Sequence, residues 1–324
     1  MKFSSTHPAV SRHIRFGLEV VSVYLTLLKV MVPALIVVKV LDMVGGTQWL
    51  AWLLSPAMQL VGLPDTLGIV WAAAMLTNIY TAMIVFAGMA GNEPLTVAQV
   101  TVLGTMILVA HSLPVEGAVA RAVGVSWRAT LAIRIGGAMT LGMLLNLAYS
   151  SGGWLQTPSR LLWEPETVEA GLLPWALDQL RMLGWIFVVI AALMALLRLL
   201  RILGIERLMH GLLAPVLGLI GIRKEAGNIT VIGTTLGLSF GAGLLIREAR
   251  SGALSRRDVF LTMGFLGLCH SIIEDTLLIV LLGADLSGIL WARLFFALAA
   301  IAVLARIPMV NRRLAEAPVQ AGRS

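Results

Sequence analysis

The chain has 324 residues, of which 58% are hydrophobic and 13% charged, with a formal net charge of +7 and a mean hydropathy of +0.91. That charged share is half the roughly 25% typical of soluble domains, and several apolar runs exceed the ~20 residues that cross a bilayer core, so the composition excludes a soluble globular protein. Basic residues scattered among short loops exclude nucleic acid as a partner, and the single cysteine, Cys269, excludes an internal disulfide and a Cys-x-x-Cys metal pattern.

The first element is the run from Leu18 to Leu41, preceded by Lys2, Arg12 and Arg15. It is too long for a signal-peptide core and lacks a small-x-small cleavage site, so it reads as a retained span. Apolar runs between turn signals then predict spans at 17–41, 47–63, 67–90, 96–122 and 127–149. The second is short and carries Pro56, and whether it spans or is re-entrant stays open. A polar linker follows, from Ser150 through Glu164, Glu166 and Glu169. Further spans are predicted at 175–200, 206–222, 226–247, 257–283 and 288–310, before a polar tail. The expected organisation is a membrane repeat at 1–149, a linker at 150–172, a second repeat at 173–311 and a tail at 312–324.

The repeat is visible in the residues. Ala110-His111-Ser112 recurs as Cys269-His270-Ser271, 159 positions later. At the same offset Pro56 falls on Pro215, Gly62 on Gly221, Gly124 on Gly283, Arg134 on Arg293 and Glu116 on Asp275. A duplicated helical unit with polar residues at matched depth is the sequence trace of a transporter-like fold. Loop charges indicate how the halves are related. The loop Gly91–Pro94 has no Lys or Arg, whereas its counterpart holds Arg247, Arg250, Arg256 and Arg257; Arg121 and Arg128 flank Gly124, whereas the loop near Gly283 holds only Asp285. By the positive-inside rule, matched loops lie on opposite faces. The expected fold is therefore all-α and polytopic, with about ten transmembrane or re-entrant helices in two inverted-topology repeats and both termini cytoplasmic. Arg223 and Lys224 are the exception, falling outside.

Ionisable residues inside spans are costly and need partners or a role. His111, Ser112 and Glu116 with His270, Ser271, Glu274 and Asp275 form the leading candidate site for substrate binding or proton coupling, and Pro114 marks a helix break beside it. His111, His270, Glu274 and Asp275 are the candidate ligands if the cargo is a divalent metal. Asn78, within Thr77–Thr81, is a supporting hydrogen-bonding candidate; its counterpart segment, Leu236–Phe240, is less polar. Lys29 lies near the middle of the first span and calls for a carboxylate partner, with Glu116, Glu274 and Asp275 as candidates; Arg134 and Arg293 are the other candidates for internal ion pairs. The competing reading makes each polar cluster an interhelical network that holds the bundle.

No nucleotide-binding Gly-x-x-x-x-Gly-Lys-Ser/Thr loop, Gly-x-Ser-x-Gly elbow or His-Glu-x-x-His helix is present, so the sequence suggests no enzyme. The Gly241-Ala242-Gly243 fragment lies in an apolar span and reads as packing.

The stretch Cys269-His270-Ser271-Ile272-Ile273-Glu274-Asp275-Thr276-Leu277-Leu278 ahead of Gly283, with Pro215 and Gly221 leading into Gly227-Asn228, resembles the nucleoside recognition or gate-domain family of bacterial membrane proteins. Related gate segments occur in ferrous-iron permeases, concentrative nucleoside transporters and spore-maturation membrane proteins. The resemblance spans both halves, most closely 205–310, and implies a gated pathway in a bacterial inner membrane. The chain lacks the GTPase domain of the iron permeases and, unless Cys269 stands in, their cysteine-bearing gate motif. The expected function is alternating-access transport of a small polar, nucleoside-like solute. A divalent-metal permease and a non-transporting scaffold are the alternatives. No cofactor is expected; the partners are the lipid bilayer and the solute or ion, with homo-oligomerisation left open.

Overall fold

The computed structural model describes residues 8–90, 94–160, 171–236, 245–248 and 254–308. The 236–240 counterpart of the Asn78 cluster, the Gly241–Gly243 fragment, the linker glutamates and the C-terminal tail lie largely or wholly outside the described residues. Those described are helical, with one isolated β-bridge between Thr96 and Pro158. In chain order the helices are α1 (Pro8–Met43), α2 (Gly46–Leu60), α3 (Leu67–Leu76), α4 (Ile79–Ala90), α5 (Val97–Val109), α6 (Leu113–Ala122) and α7 (Trp127–Gly152). They continue as α8 (Leu172–Ile202), α9 (Ile205–Leu219), α10 (Lys224–Leu236), α11 (Arg256–Leu268), α12 (Glu274–Val280) and α13 (Ser287–Arg306), the last π-helical over its first six residues.

The offset of 159 residues reappears in these boundaries. α2 maps onto α9 and α5 onto α11 residue for residue. The left-handed backbone positions recur as pairs too: Gly45 with Gly204, Gly62 with Gly221, Ser112 with Ser271 and Gly124 with Gly283. α5 opens on a capping box between Thr96 and Gln99, α11 on one between Ser255 and Asp258. Each box satisfies amide donors that a helix start otherwise leaves orphaned.

Among the described residues, five segments are long and apolar enough to cross a membrane: 14–43, 97–122, 127–152, 172–202 and 287–306. The second is α5 and α6 together, broken at its middle. α7 runs back along it, since Ala98 N–H donates to Leu155 O at the start of α5 and a Cβ built on Gly117 of α6 would stand 2.0 Å from Trp127. α11 and α12 trace a similar broken path in the opposite direction. Gly104 in α5 packs against Ile279 in α12, while Ala120 of α6 shares a small gap with Met263 of α11. α1 and α8 are likewise antiparallel: Arg198 lies over the Phe16 ring, Lys39 over Trp175, and midway Tyr24 donates to Leu183 O, 159 positions on.

The predicted span at 67–90 is where structure and sequence part. It is two helices, α3 and α4, which pack extensively against each other. At 10 and 12 residues they are about 15 and 18 Å long, each half a bilayer core. In the second half, Arg223 Nε donates to Asp258 Oδ2 (2.7 Å) and Arg257 Nη1 to Gly221 O (2.8 Å), so the residues flanking the predicted 226–247 span meet at one end of the bundle. The 67–90 segment is therefore not one continuous helix. Its uninterrupted apolarity hides the fold-back, because a hairpin buried in protein is as apolar as a span; the turn residues Thr77 and Asn78 were the signal.

This changes the charge map. Arg223 stands with Arg256 and Arg257, at the end that also carries the start of α1, the end of α8 and the loop after α6. The opposite end carries residues 153–160 with the start of α5 and the end of α12. We refer to these as the basic end and the linker end.

Candidate functional site

The site lies where the two broken helices cross. α5 ends at Val109 and α6 begins at Leu113; between them Ser112 adopts φ +48°. α11 ends at Leu268 and, after Ser271 at φ +45°, α12 begins at Glu274. A left-handed serine costs roughly 1–2 kcal/mol and needs surrounding contacts to hold it. The α3–α4 turn supplies them for Ser112: its N–H donates to Ala74 O (2.9 Å) and its Oγ to Thr77 O (2.8 Å). Around Ser271 the counterpart is α10, where Ile272 N–H donates to Thr234 O (2.8 Å).

The breaks place His111 and His270 against each other, ring centroids 5.0 Å apart. Both rings are buried, and both are held by the same device. Nδ1 of His111 lies 3.0 Å from Ile107 O, and Nδ1 of His270 lies 2.7 Å from Leu266 O. A carbonyl only accepts, so each Nδ1 carries the proton and each Nε2 faces the centre. Facing them are Glu116 Oε1, 3.3 Å from His111 Nε2 and 3.5 Å from His270 Nε2, and Asp275 Oδ2, 4.0 and 3.8 Å from the same two atoms. Asp275 is 7% exposed, and its Oδ2 has no hydrogen-bond partner among the described residues.

Two arginines close the back of the site. Arg134 donates from Nε to Val109 O (2.9 Å) and from Nη1 to Glu116 Oε2 (2.5 Å). Arg293 donates from Nη2 to His270 O (2.8 Å). Both therefore cover carbonyls that the helix breaks release, where a cation is favoured. In front, a cavity of about 740 Å³ reaches His111, Ser112, Glu116, His270, Ser271, Glu274 and Asp275. Its outer wall is Phe16, Glu19, Arg198 and Arg201, so it extends toward the basic end.

The structure thus brings seven of the sequence candidates around one cavity. Glu274 lines it but stands apart from the four-atom cluster, accepting from Tyr80 Oη at 3.4 Å. Of the four candidate metal ligands, His111, His270 and Asp275 place ligand atoms within 4.8 Å of one another and Glu274 stands apart, while Glu116 approaches both imidazoles. Asn78 does not line the cavity; its Oδ1 accepts from Thr81 N–H (2.9 Å) and caps α4. Lys29 is exposed on α1 and makes no ion pair among the described residues, because the face of α1 that meets the cavity is Phe16, Glu19 and Val23. Sequence reasoning passed over Tyr80, although it is one of three tyrosines and sits in the polar Thr77–Thr81 turn.

No family profile matches the chain, and no solved structure matches it. It is 31% identical over 278 residues to the "Uncharacterized membrane protein YvoD" of Bacillus subtilis (strain 168), an alignment covering 83% of this chain and 86% of that protein. The chain belongs to that family. It is a multi-pass helical membrane protein, and its ionisable cluster lies at the break of a segment long and apolar enough to cross a membrane. The cluster turns two imidazole nitrogens and two carboxyl oxygens toward one another.

Proposed function

We propose that this family member is an alternating-access transporter built from two inverted repeats, each with three crossings, one broken at its centre, and one re-entrant segment. An odd number of crossings per half is what inversion requires, and the antiparallel course of α5–α6 against α11–α12 and of α1 against α8 supports it. With Arg223 and Lys224 at the basic end, the positive-inside rule favours a cytoplasmic basic end, with both termini there. The cavity is then an inward-facing access path for a small polar solute or ion. The gate-domain resemblance favours the same reading, and the cavity volume has room for a nucleoside-sized solute.

The single observation that carries this reading is that the cavity ends on residues equivalent under the repeat. His111 and His270, and Glu116 and Asp275, are pairs at the 159-residue offset. A site so composed presents the same donors whichever half opens. The test uses Val119, which lines the cavity, and its repeat equivalent Leu278, which is 1% exposed. Val119→Cys is expected to react with a membrane-impermeant maleimide from the cytoplasmic side, and Leu278→Cys from the outside in the cycling protein. The native Cys269, buried beside His270, is replaced by alanine in both variants. Reaction of both sites from one side only overturns alternating access.

A further inference from the structure

We infer that His111, His270, Glu116 and Asp275 form a binding site for one first-row divalent transition-metal ion, and, resting on the transport reading above, that this ion is the cargo. The donors meet the requirements of such a site one by one. Each histidine has its tautomer fixed by a backbone carbonyl on Nδ1, leaving Nε2 free to ligate, which is how metal-binding imidazoles are oriented. One ligand atom from each of His111, His270 and Asp275 lies within 4.8 Å of the others. Glu116 Oε1 adds a fourth within 3.5 Å of both imidazole nitrogens.

Metal–ligand bonds of about 2.0–2.2 Å put neighbouring donors of a tetrahedral site roughly 3.4 Å apart. The four N···O separations run from 3.3 to 4.0 Å, and Glu116 falls outside the set of ligand atoms that all lie within 4.8 Å of one another, so closing on an ion requires the Glu116 and Asp275 carboxylates to draw together across the imidazole pair. Glu116 is steadied from behind by Arg134, an outer-shell partner. Asp275 Oδ2 supplies an independent indication: a buried carboxyl oxygen facing two imidazole nitrogens at 4.0 and 3.8 Å, with no hydrogen-bond partner among the described residues. Leaving it so is costly, and a dication is the group that satisfies all four acceptors together. Two imidazoles with two carboxylates select Mn²⁺, Fe²⁺, Co²⁺, Ni²⁺ or Zn²⁺ over Ca²⁺ and Mg²⁺, which favour all-oxygen sites.

The test is equilibrium dialysis of the full chain in detergent, freed of any affinity tag and stripped with chelator, against Zn²⁺ and Mn²⁺, with Ca²⁺, Mg²⁺ and uridine alongside. One transition-metal ion per chain is expected, with affinity at least tenfold lower in His111→Ala and in His270→Ala. Glu274→Gln lies outside the cluster and is expected to keep the ion. Melting curves establish that each variant is folded. Co²⁺ in place of Zn²⁺ is expected to give the visible spectrum of a low-symmetry nitrogen–oxygen site. Absence of binding by the folded protein, or equal binding by both histidine variants, overturns the site. Uridine bound through the histidines with no metal present overturns it too and leaves the transport reading standing with an organic cargo. Metal bound as expected, with Val119→Cys and Leu278→Cys reacting from one side only, keeps the site and overturns its role as cargo.

Discussion

Arg134 and Arg293 occupy equivalent positions in the two halves, both fully buried at the helix crossing, yet only Arg134 closes on a carboxylate. Its Nη1 meets Glu116 Oε2 at 2.5 Å. Arg293 makes no ion pair within 4.0 Å among the described residues, and its Nε and Nη1 have no hydrogen-bond partner there, although Asp275, the equivalent of Glu116, lies nearby and is itself unsatisfied. The halves share a sequence pattern and differ in state.

That difference predicts unequal costs of mutation. Removing one partner of a buried ion pair strands the other and costs about 3–5 kcal/mol. Arg134→Met is therefore expected to lower the melting temperature sharply, and adding Glu116→Gln to restore much of the loss. Arg293→Met removes one hydrogen bond and relieves an unpaired buried charge, so its cost is expected to be much smaller. Thermal unfolding of the four proteins in one detergent decides; equal losses for the two arginines would mean that the pairing difference carries no energy.

The serines at the helix breaks predict an unusual order of substitutions. Ser112→Ala loses the bond from Oγ to Thr77 O, worth about 0.5–1.5 kcal/mol, and keeps the left-handed strain. Ser112→Gly loses the same bond but relieves the backbone. Glycine is expected to be at least as stable as alanine here, the reverse of the order inside a helix. Ser112→Val is expected to be worst of the three. Melting temperatures of the three variants give the ranking directly.

Much of this was legible in the chain. The His-Ser repeat located the crossing, and the 159-residue offset anticipated helix boundaries such as those of α5 and α11. The polar candidates His111, Ser112, Glu116, His270, Ser271, Glu274 and Asp275 share one cavity because broken helices put their ends, and hence their polar residues, at mid-depth. What the chain hid has physical reasons. Hydropathy reports burial and not direction, so a hairpin such as α3–α4 reads as a span. Lys29 was misjudged because depth along a helix says nothing of rotation about it: six residues beyond Val23, it points some 120° away. The T-x-x-Q and S-x-x-D boxes at Thr96 and Ser255 were readable as helix starts.

The second of those boxes yields a prediction at the basic end. Asp258 caps α11 through Ser255 and also receives Arg223, whose side chain is 58% exposed while that of Asp258 is 1% exposed. Capping loss costs about 0.5–2 kcal/mol, whereas an exposed arginine contributes less than about 1 kcal/mol to its pair. Asp258→Ala is expected to destabilise more than Arg223→Gln, and the Arg223 effect is expected to shrink by the larger fraction at high salt, since the capping part of the Asp258 effect is not screened. Melting curves at low and high NaCl separate the two contributions.

Packing at the linker end predicts how the access state can be shifted. A Cβ built on Gly104 would stand 2.4 Å from Ile279 Cγ2, and one on Gly288 2.4 Å from Thr101 Cγ2. α5 therefore meets α12 and α13 through glycines, in contrast to the cavity at the basic end. Overpacking such a contact costs typically 1–3 kcal/mol if nothing moves. In a two-state transporter the halves can separate instead, opening the linker end. Gly104→Ala is accordingly expected to raise maleimide labelling of Leu278→Cys from the outside and to lower that of Val119→Cys from the cytoplasm. Ile279→Ala added to Gly104→Ala is expected to return both toward their starting values, because it removes the atom that clashes. Labelling that stays fixed while the protein merely melts earlier would mean that the tight linker end is static packing and not a closed gate.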